Sequence, residues 1–355
     1  MAKKSNNTVD TRSGSLAYNR LDMQVSQAIE FAIQRFDSAD YLIVMDHYDD
    51  ISVFDAEREP KYVSYYQMKT SEKSITIRLV LNNGWITKLY RHICVGTLTE
   101  ICSIEELGLI SNCEIKTKTK LTPVYQDNFA IKIQFTQYDN DNIEKIKEDI
   151  IEALDISPSN VDLSKLVHIK TYLTISSHRD QAEQNMNDFL SRKYPGVSPG
   201  VTRTIYLSLR DIMSKRQGYE ELSETAEFSK VRAHKGVSKS DFERIIDDSF
   251  LVCIPQYDVI EKWFGWGNVD LKSLKYQYCE VVIDMQRKDD LQISLFKKIR
   301  ELCQKYPIEE NESKMVYIDR IRGYLDDTRY DTFDNLYIAV VLGIVMINER
   351  LSHNG

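Results

Sequence analysis

Two adjacent carboxylates, Asp49 and Asp50, open a short apolar segment, and a second segment farther on ends with Gln67-Met68-Lys69. Both segments read as strands: ISVFD after the loop HYDD, and YVSYYQMKT over 62–70. Side chains alternate along a strand, so Gln67 and Lys69 share a face and Met68 takes the other. If the two strands pair as a hairpin, the start of the first meets the end of the second. Asp50 then converges with Gln67 and Lys69 at one edge of a sheet. An acid, an amide oxygen and an amine in one place suit phosphodiester hydrolysis. Mg²⁺, or Mn²⁺ in its stead, is a hard cation that keeps several waters and needs only one or two protein oxygens. Such an ion polarises the phosphoryl group and acidifies a bound water; a lysine beside it offsets charge developing on the phosphate. In this reading Asp50 is the charged ligand, Gln67 the neutral ligand and Lys69 the catalytic amine.

The elements that must hold these residues are legible around them. Leu21, Val25, Ala28, Ile29, Ala32 and Phe36 recur at helical spacing and predict a helix over 21–36. YLIVMD (41–46) follows as a buried strand, then the two strands above, with connections short enough for a meander. Helical character over 84–95 comes next, then strand-like alternation over 113–122 and 129–137. A helix is expected over 141–154, a strand over 167–176 and a helix over 179–193. YPGVSPG (194–200) is the strongest punctuation in the chain. Beyond it amphipathic segments at 202–217, 239–250, 255–264, 271–306 (broken near Arg287) and 313–350 suggest an all-helical part. The expected organisation is a flexible stretch over 1–15, an α+β domain over 16–200 and a helical domain over 201–355 for oligomerisation or partner binding.

Helix, strand, strand, strand, with an acid opening the second strand and QxK closing the third, resembles the core of the PD-(D/E)xK nucleases, with Gln in place of the usual Glu. The likeness implies a restriction-endonuclease-like mixed sheet flanked by helices. SGSLAYNRLDMQ, YLIVMDHYDDISVFD and YYQMKT also resemble a narrower group. These are the double-strand DNA endonuclease domains that act as effectors in bacterial anti-phage systems such as CBASS and Lamassu. The resemblance covers roughly 12–210 and is strongest over 41–70. It implies Asp50 as metal ligand, Gln67 as the second ligand position and Lys69 as the catalytic lysine. Asp46 stands where relatives often carry Glu, so Asp46 or Asp49 is left as a further ligand. Glu30 is another, because related nucleases often place an acid on the first helix; its helical-wheel position favours a solvated side chain. A short nuclease with a helical tail and no Gly-rich phosphate loop looks more like a Lamassu effector than a CBASS one. That likeness implies an SMC-like ATPase and an accessory subunit as partners, and a homo-oligomer when active.

Other features carry less. Lys116, Lys118 and Lys120 would share a face of the strand expected there, either as a phosphate-tracking strip or as protection of a sheet edge. His47 beside the acids reads equally as surface or site. His92, Cys94 and Cys102 are too loosely spaced for a metal motif, and the six cysteines show no CxxC pair, as in a cytosolic protein with reduced, mostly buried thiols. Trp263-Phe264-Gly265-Trp266 is either core or a partner-binding patch. The apolar run 336–347 must be buried and is too short to span a bilayer, and the N-terminus lacks the apolar region of a signal peptide. Hydrophobic residues at 42% and charged residues at 28% fit a folded soluble chain. A net charge of −8 excludes a protein held on DNA by bulk positive charge, though not one that meets DNA through a local basic strip. Gln67, lacking a carboxylate, keeps open a non-catalytic DNA-binding subunit, and a nuclease switched by a cyclic nucleotide is a third possibility.

Overall fold

The computed structural model describes residues 13–38, 40–95, 102–118, 121–194, 197, 199–223, 225–251, 254–265, 270–287, 290–309, 311–325 and 328–353. Its contacts divide the chain into two units, residues up to 186 with 206–243, and 187–205 with 244–355. The expected flexible stretch 1–15 falls mostly outside the described residues; helix α1 (Ser13–Arg35) already includes its last three.

The first unit is built on an eight-stranded mixed sheet. Strands β1 (Leu42–Met45), β2 (Ile51–Phe54) and β3 (Tyr62–Lys69) form the antiparallel meander that the apolar runs predict. Every residue of β1 and β2 is buried, the signature of strands covered on both faces. From β3 the chain passes through β4 (Ile75–Thr76), α2 (Ile77–Asn82) and α3 (Trp85–Val95) and returns as β5 (Ser103–Ser111), parallel to β3. The short β6 (Ile115–Lys116) pairs with β4 in a separate two-stranded sheet. A hairpin of β7 (Tyr125–Gln126) and β8 (Ala130–Gln134) leads through α4 (Asn140–Leu154) to β9 (Leu166–Thr171), which pairs in parallel with β5 and antiparallel with β8. Helices α5 (His178–Lys193), α6 (Pro199–Gln217) and α7 (Phe228–Lys235) follow, and β10 (Gly236–Ser238) closes the sheet against β1.

Three expectations need correction here. The strand expected over 113–122 shrinks to Ile115–Lys116, and the central strand is Ser103–Ser111, which the sequence reading passed over. Its charged pair Glu105-Glu106 and Gly108 disguise it. Glu106 is satisfied by Lys132 Nζ at 2.6 Å and by the Tyr66 hydroxyl at 3.0 Å, so the acid is tolerated in the sheet. Gly108 is there for space, since a Cβ would stand 2.4 Å from the Tyr66 ring. Gly108→Ala is therefore expected to destabilise the protein by about 1–3 kcal/mol, seen as a lower denaturant midpoint at unchanged slope. The second correction is β10: residues beyond 200 are not all helical, because Gly236–Ser238 extends the sheet.

The third concerns α1. Its sequence suggests one apolar stripe, yet Leu21 is exposed while Asp22, Gln24, Ser26, Gln27 and Glu30 are buried with the apolar residues. The helix is enclosed from residue 22 to residue 33, and several of its polar groups find partners on other helices. Asp22 is held by Arg179 and Arg210, Ser26 lies 2.9 Å from His178 Nδ1, and Gln24 accepts from Gln217 at 2.8 Å. Phe31 packs on Tyr66 with ring centroids 4.6 Å apart and planes tilted by 33°, so α1 covers the Tyr66 face of the sheet. Tyr65 points the other way, onto His92 of α3.

In the second unit, α9 (Tyr257–Phe264), α10 (Leu271–Arg287), α11 (Asp290–Lys305), α12 (Lys314–Gly323) and α13 (Asn335–His353) share one core. The C-terminal part of α8 (Lys239–Leu251) belongs to the same unit. The run 336–347 is the buried middle of α13, and Trp263 and Phe264 are core residues packed beside Gly343; Trp266 lies outside the described residues. Cys94 and Cys279 are exposed free thiols, Cys102 and Cys303 are buried and Cys113 is half-buried, so fewer are enclosed than expected; Cys253 is outside the described residues. Among the described residues no helix is long and apolar enough to cross a membrane.

Candidate active site

The β1–β2 connection sets the acids in place. Met45 pairs with Ile51, and Asp46 N donates to Asp50 O at 3.1 Å, closing a tight loop. Asp46 turns the chain at φ 46°, a left-handed conformation that Asp tolerates better than most residues. Lys235 clamps the loop from α7. Its buried ammonium donates to Asp46 O at 3.1 Å and Gln217 O at 3.0 Å.

Ile51 pairs with Tyr66, so the position before it, Asp50, stands beside Gln67 at the end of β3. Just before the start of β2, the Asp50 side chain extends the ladder: Oδ2 accepts from Met68 N at 2.7 Å. The same oxygen lies 3.7 Å from Lys69 Nζ. Acid and amine thus meet as the strand alternation predicts. Burial raises the Asp50 carboxyl above its ordinary value, and the Lys69 charge and the Met68 N–H offset this only in part. Gln67 is buried, and its Oε1 accepts no hydrogen bond from the protein. An orphaned buried acceptor is unfavourable by about 1–3 kcal/mol, a penalty that a cation ligated there would remove.

These residues fit a hard divalent ion with few protein ligands. Asp50 would supply the charge, Gln67 the neutral oxygen, and water the remaining positions. Among the described residues no group of three or more His, Cys, Asp or Glu side chains is placed to hold a metal.

The further acids are engaged elsewhere. Asp49 is buried, with Oδ1 accepting from Lys88 Nζ at 3.1 Å and from Asp50 N at 3.0 Å, and Oδ2 lying 3.2 Å from His92 Nε2. Burial alone would raise its carboxyl; the His92 bond and the Lys88 charge prevail and hold it low. The Asp46 side chain is exposed on the turn. Glu30 is not solvated as its wheel position suggests. It is buried against Asn185, whose Nδ2 donates to Oε1 at 2.7 Å, on the helix covering the opposite face from Gln67 and Lys69. His47 is half-buried with Nε2 unpartnered, its ring edge-on to Tyr48. His92 serves Asp49 rather than joining Cys94 and Cys102 in a metal group.

The expected lysine strip becomes a cleft. Lys116 and Lys118 line a surface depression of about 440 Å³ with Arg78 of α2 and Lys145 of α4. Lys118 is 3.4 Å from Asp141, and Lys120 lies outside the described residues. Apart from α4, the segments lining this cleft follow the carboxyl ends of β3 and β5, the edge of the sheet where Asp50 and Lys69 meet. Sequence reasoning missed Arg78, Lys145, Lys88 and the role of His92. The i, i+4 spacing of Lys88 and His92 in a helical stretch was the one available signal for the last two.

The chain is 27% identical over 241 residues to the Lamassu protein LmuA of Bacillus cereus (strain VD014), a match covering 67% of this chain and 64% of that protein. The chain thus spans less than two thirds of that relative's length. No solved structure matches. Residues 12–216, more than half of the chain, match the family described as Cap4, dsDNA endonuclease domain, and the chain belongs to that family.

Proposed function

We propose that this chain is a divalent-metal-dependent endonuclease that hydrolyses double-stranded DNA as the effector of a Lamassu-like anti-phage complex, inactive until phage DNA is sensed. The observation that carries the reading is the meeting of Asp50 with Lys69 at 3.7 Å on the sheet edge. Mg²⁺ or Mn²⁺, when bound, supplies the Lewis acid. Asp50 and Gln67 would hold the ion, and Lys69 would donate to the phosphate as negative charge builds on it. The Arg78–Lys116–Lys118–Lys145 cleft receives the flanking backbone, which reconciles DNA binding with a net charge of −8.

A double-strand break requires two such sites on opposite strands, so the active form is a homo-oligomer, with the helical C-terminal part as its oligomerisation and partner-binding surface. An SMC-like ATPase and an accessory subunit are the partners in this reading, and the complex works in the cytoplasm. Linear and circular duplex DNA should be cut with Mg²⁺ or Mn²⁺, spared with EDTA and cut again when the metal is restored. The neutral Gln67 supports a second reading, a non-catalytic DNA-binding subunit. That protein would retard duplex DNA without metal and never shorten it, and such a result would replace the first reading.

A further inference from the structure

Lys88 and His92 lie one turn apart on α3 and hold the two oxygens of Asp49. The third contact, from Asp50 N, ties that carboxylate to the residue beside it. Asp49 has a fully buried side chain, an unfavourable setting for a carboxylate unless it is closely paired. His92 is fixed by stacking on Tyr65, with ring centroids 4.0 Å apart and planes 9° from parallel. The Lys88 side chain differs, being 55% exposed. Of the three N–H donors of its ammonium, one bonds Asp49, and the group stands where its charge favours ionised Asp50.

A lysine that only neutralised a surface acid would swing freely and lose most of its pairing energy to water. Here a buried, rigidly held acid fixes the amine in one place, at the rim of a site whose ligands offer one carboxylate and one neutral amide. Preorganised cations of this kind bind phosphate without a reorganisation penalty.

We propose that Lys88 is a second phosphate-contacting residue of this site, donating to a non-bridging oxygen of the DNA backbone next to the phosphate held at Asp50 and Lys69. Asp49 is the positioning residue that holds Lys88 there. The proposal rests on the DNA-cutting reading, and its test is arranged so that the two can fail separately.

Binding of a short duplex is measured over a salt series in the full chain carrying Lys69→Ala, with and without Lys88→Gln, Lys88→Arg or Asp49→Asn. KM for cleavage is measured with Lys69 intact. Lys88→Gln should raise Kd and KM roughly tenfold and lower the slope of log Kd against log salt by about one, the mark of one lost phosphate contact. Lys88→Arg should restore most of both, and Asp49→Asn should reproduce the slope change, which a merely structural role would leave alone. Lys88 is exposed enough for its variants to fold, so they decide the matter even if Asp49→Asn does not fold. An unchanged Kd and slope in Lys88→Gln overturns the proposal. Failure of the parent to cut DNA with any divalent metal removes the nuclease reading, while the binding comparison still decides Lys88.

Discussion

Lys69→Ala and Asp50→Asn are each expected to slow DNA cleavage by about a hundred- to a thousandfold, and the double variant to be little worse than either alone. The size follows from what each group does. Removing one preorganised charge or donor from a site of developing negative charge typically loses that much rate. The lack of additivity follows from their meeting at 3.7 Å around one phosphate: once either is gone, the other has nothing left to complete. Neither change should unfold the protein. Asp50→Asn keeps an oxygen for Met68 N and removes a carboxylate whose burial is unfavourable, and Lys69→Ala takes away an amine that is 27% exposed and 3.7 Å from its partner. Single-turnover cleavage of a labelled duplex, beside thermal melts of the same samples, makes the comparison. Parent-like cutting by either variant would show that the catalytic centre lies elsewhere.

The meeting of Asp50 with Lys69 was legible in the sequence because it is local. Strands β2 and β3 are joined by residues 55–61, near enough in sequence for alternation and the hairpin connection to set the register that brings Asp50 to Lys69. What escaped depends on pairing across long separations. Strand β5 sits between β3 and β9 in parallel, and its Glu106 and Gly108 make sense only against Lys132 and the Tyr66 ring. Strand β10 is three residues long and has no signal apart from β1 beside it. Asp49 reads as a further ligand beside Asp50 until Lys88 and His92 arrive from 39 and 43 residues away. Periodicity measures one helix or strand against solvent, and it fails where an element is enclosed on every side. Residues 22–33 of helix α1 are that case, and Glu30 is the residue most altered by it.

Glu30→Gln is expected to stabilise the protein at alkaline pH and to change little at pH 5. Burial drives the Glu30 carboxyl up to about 8 from 4.5; the Asn185 hydrogen bond opposes this, and the Asp127 charge adds to it. The folded state therefore holds a proton that the unfolded chain releases. Stability from this group is fully present below about 4.5 and is lost as pH rises through about 8. A gap of that size corresponds to several kcal/mol, and water reaching the ionised group leaves roughly 3 kcal/mol of it. Glutamine keeps an oxygen for Asn185 Nδ2 and never ionises, so the variant escapes the loss. At about 2–4 °C per kcal/mol for a domain of this size, Tm should exceed the parent's by roughly 6–12 °C at pH 9. At pH 5 the two should lie within about 1 kcal/mol, since that pH is only about half a unit above the unfolded value of 4.5 and little of the loss has yet built up. An equal offset at both pH values would mean that the carboxyl is not shifted in the fold. Cleavage at neutral pH separates this role from the one its helix position first suggested. A glutamate ligating metal would lose activity as glutamine, whereas one enclosed against Asn185 behind the sheet leaves the Asp50–Lys69 edge unchanged.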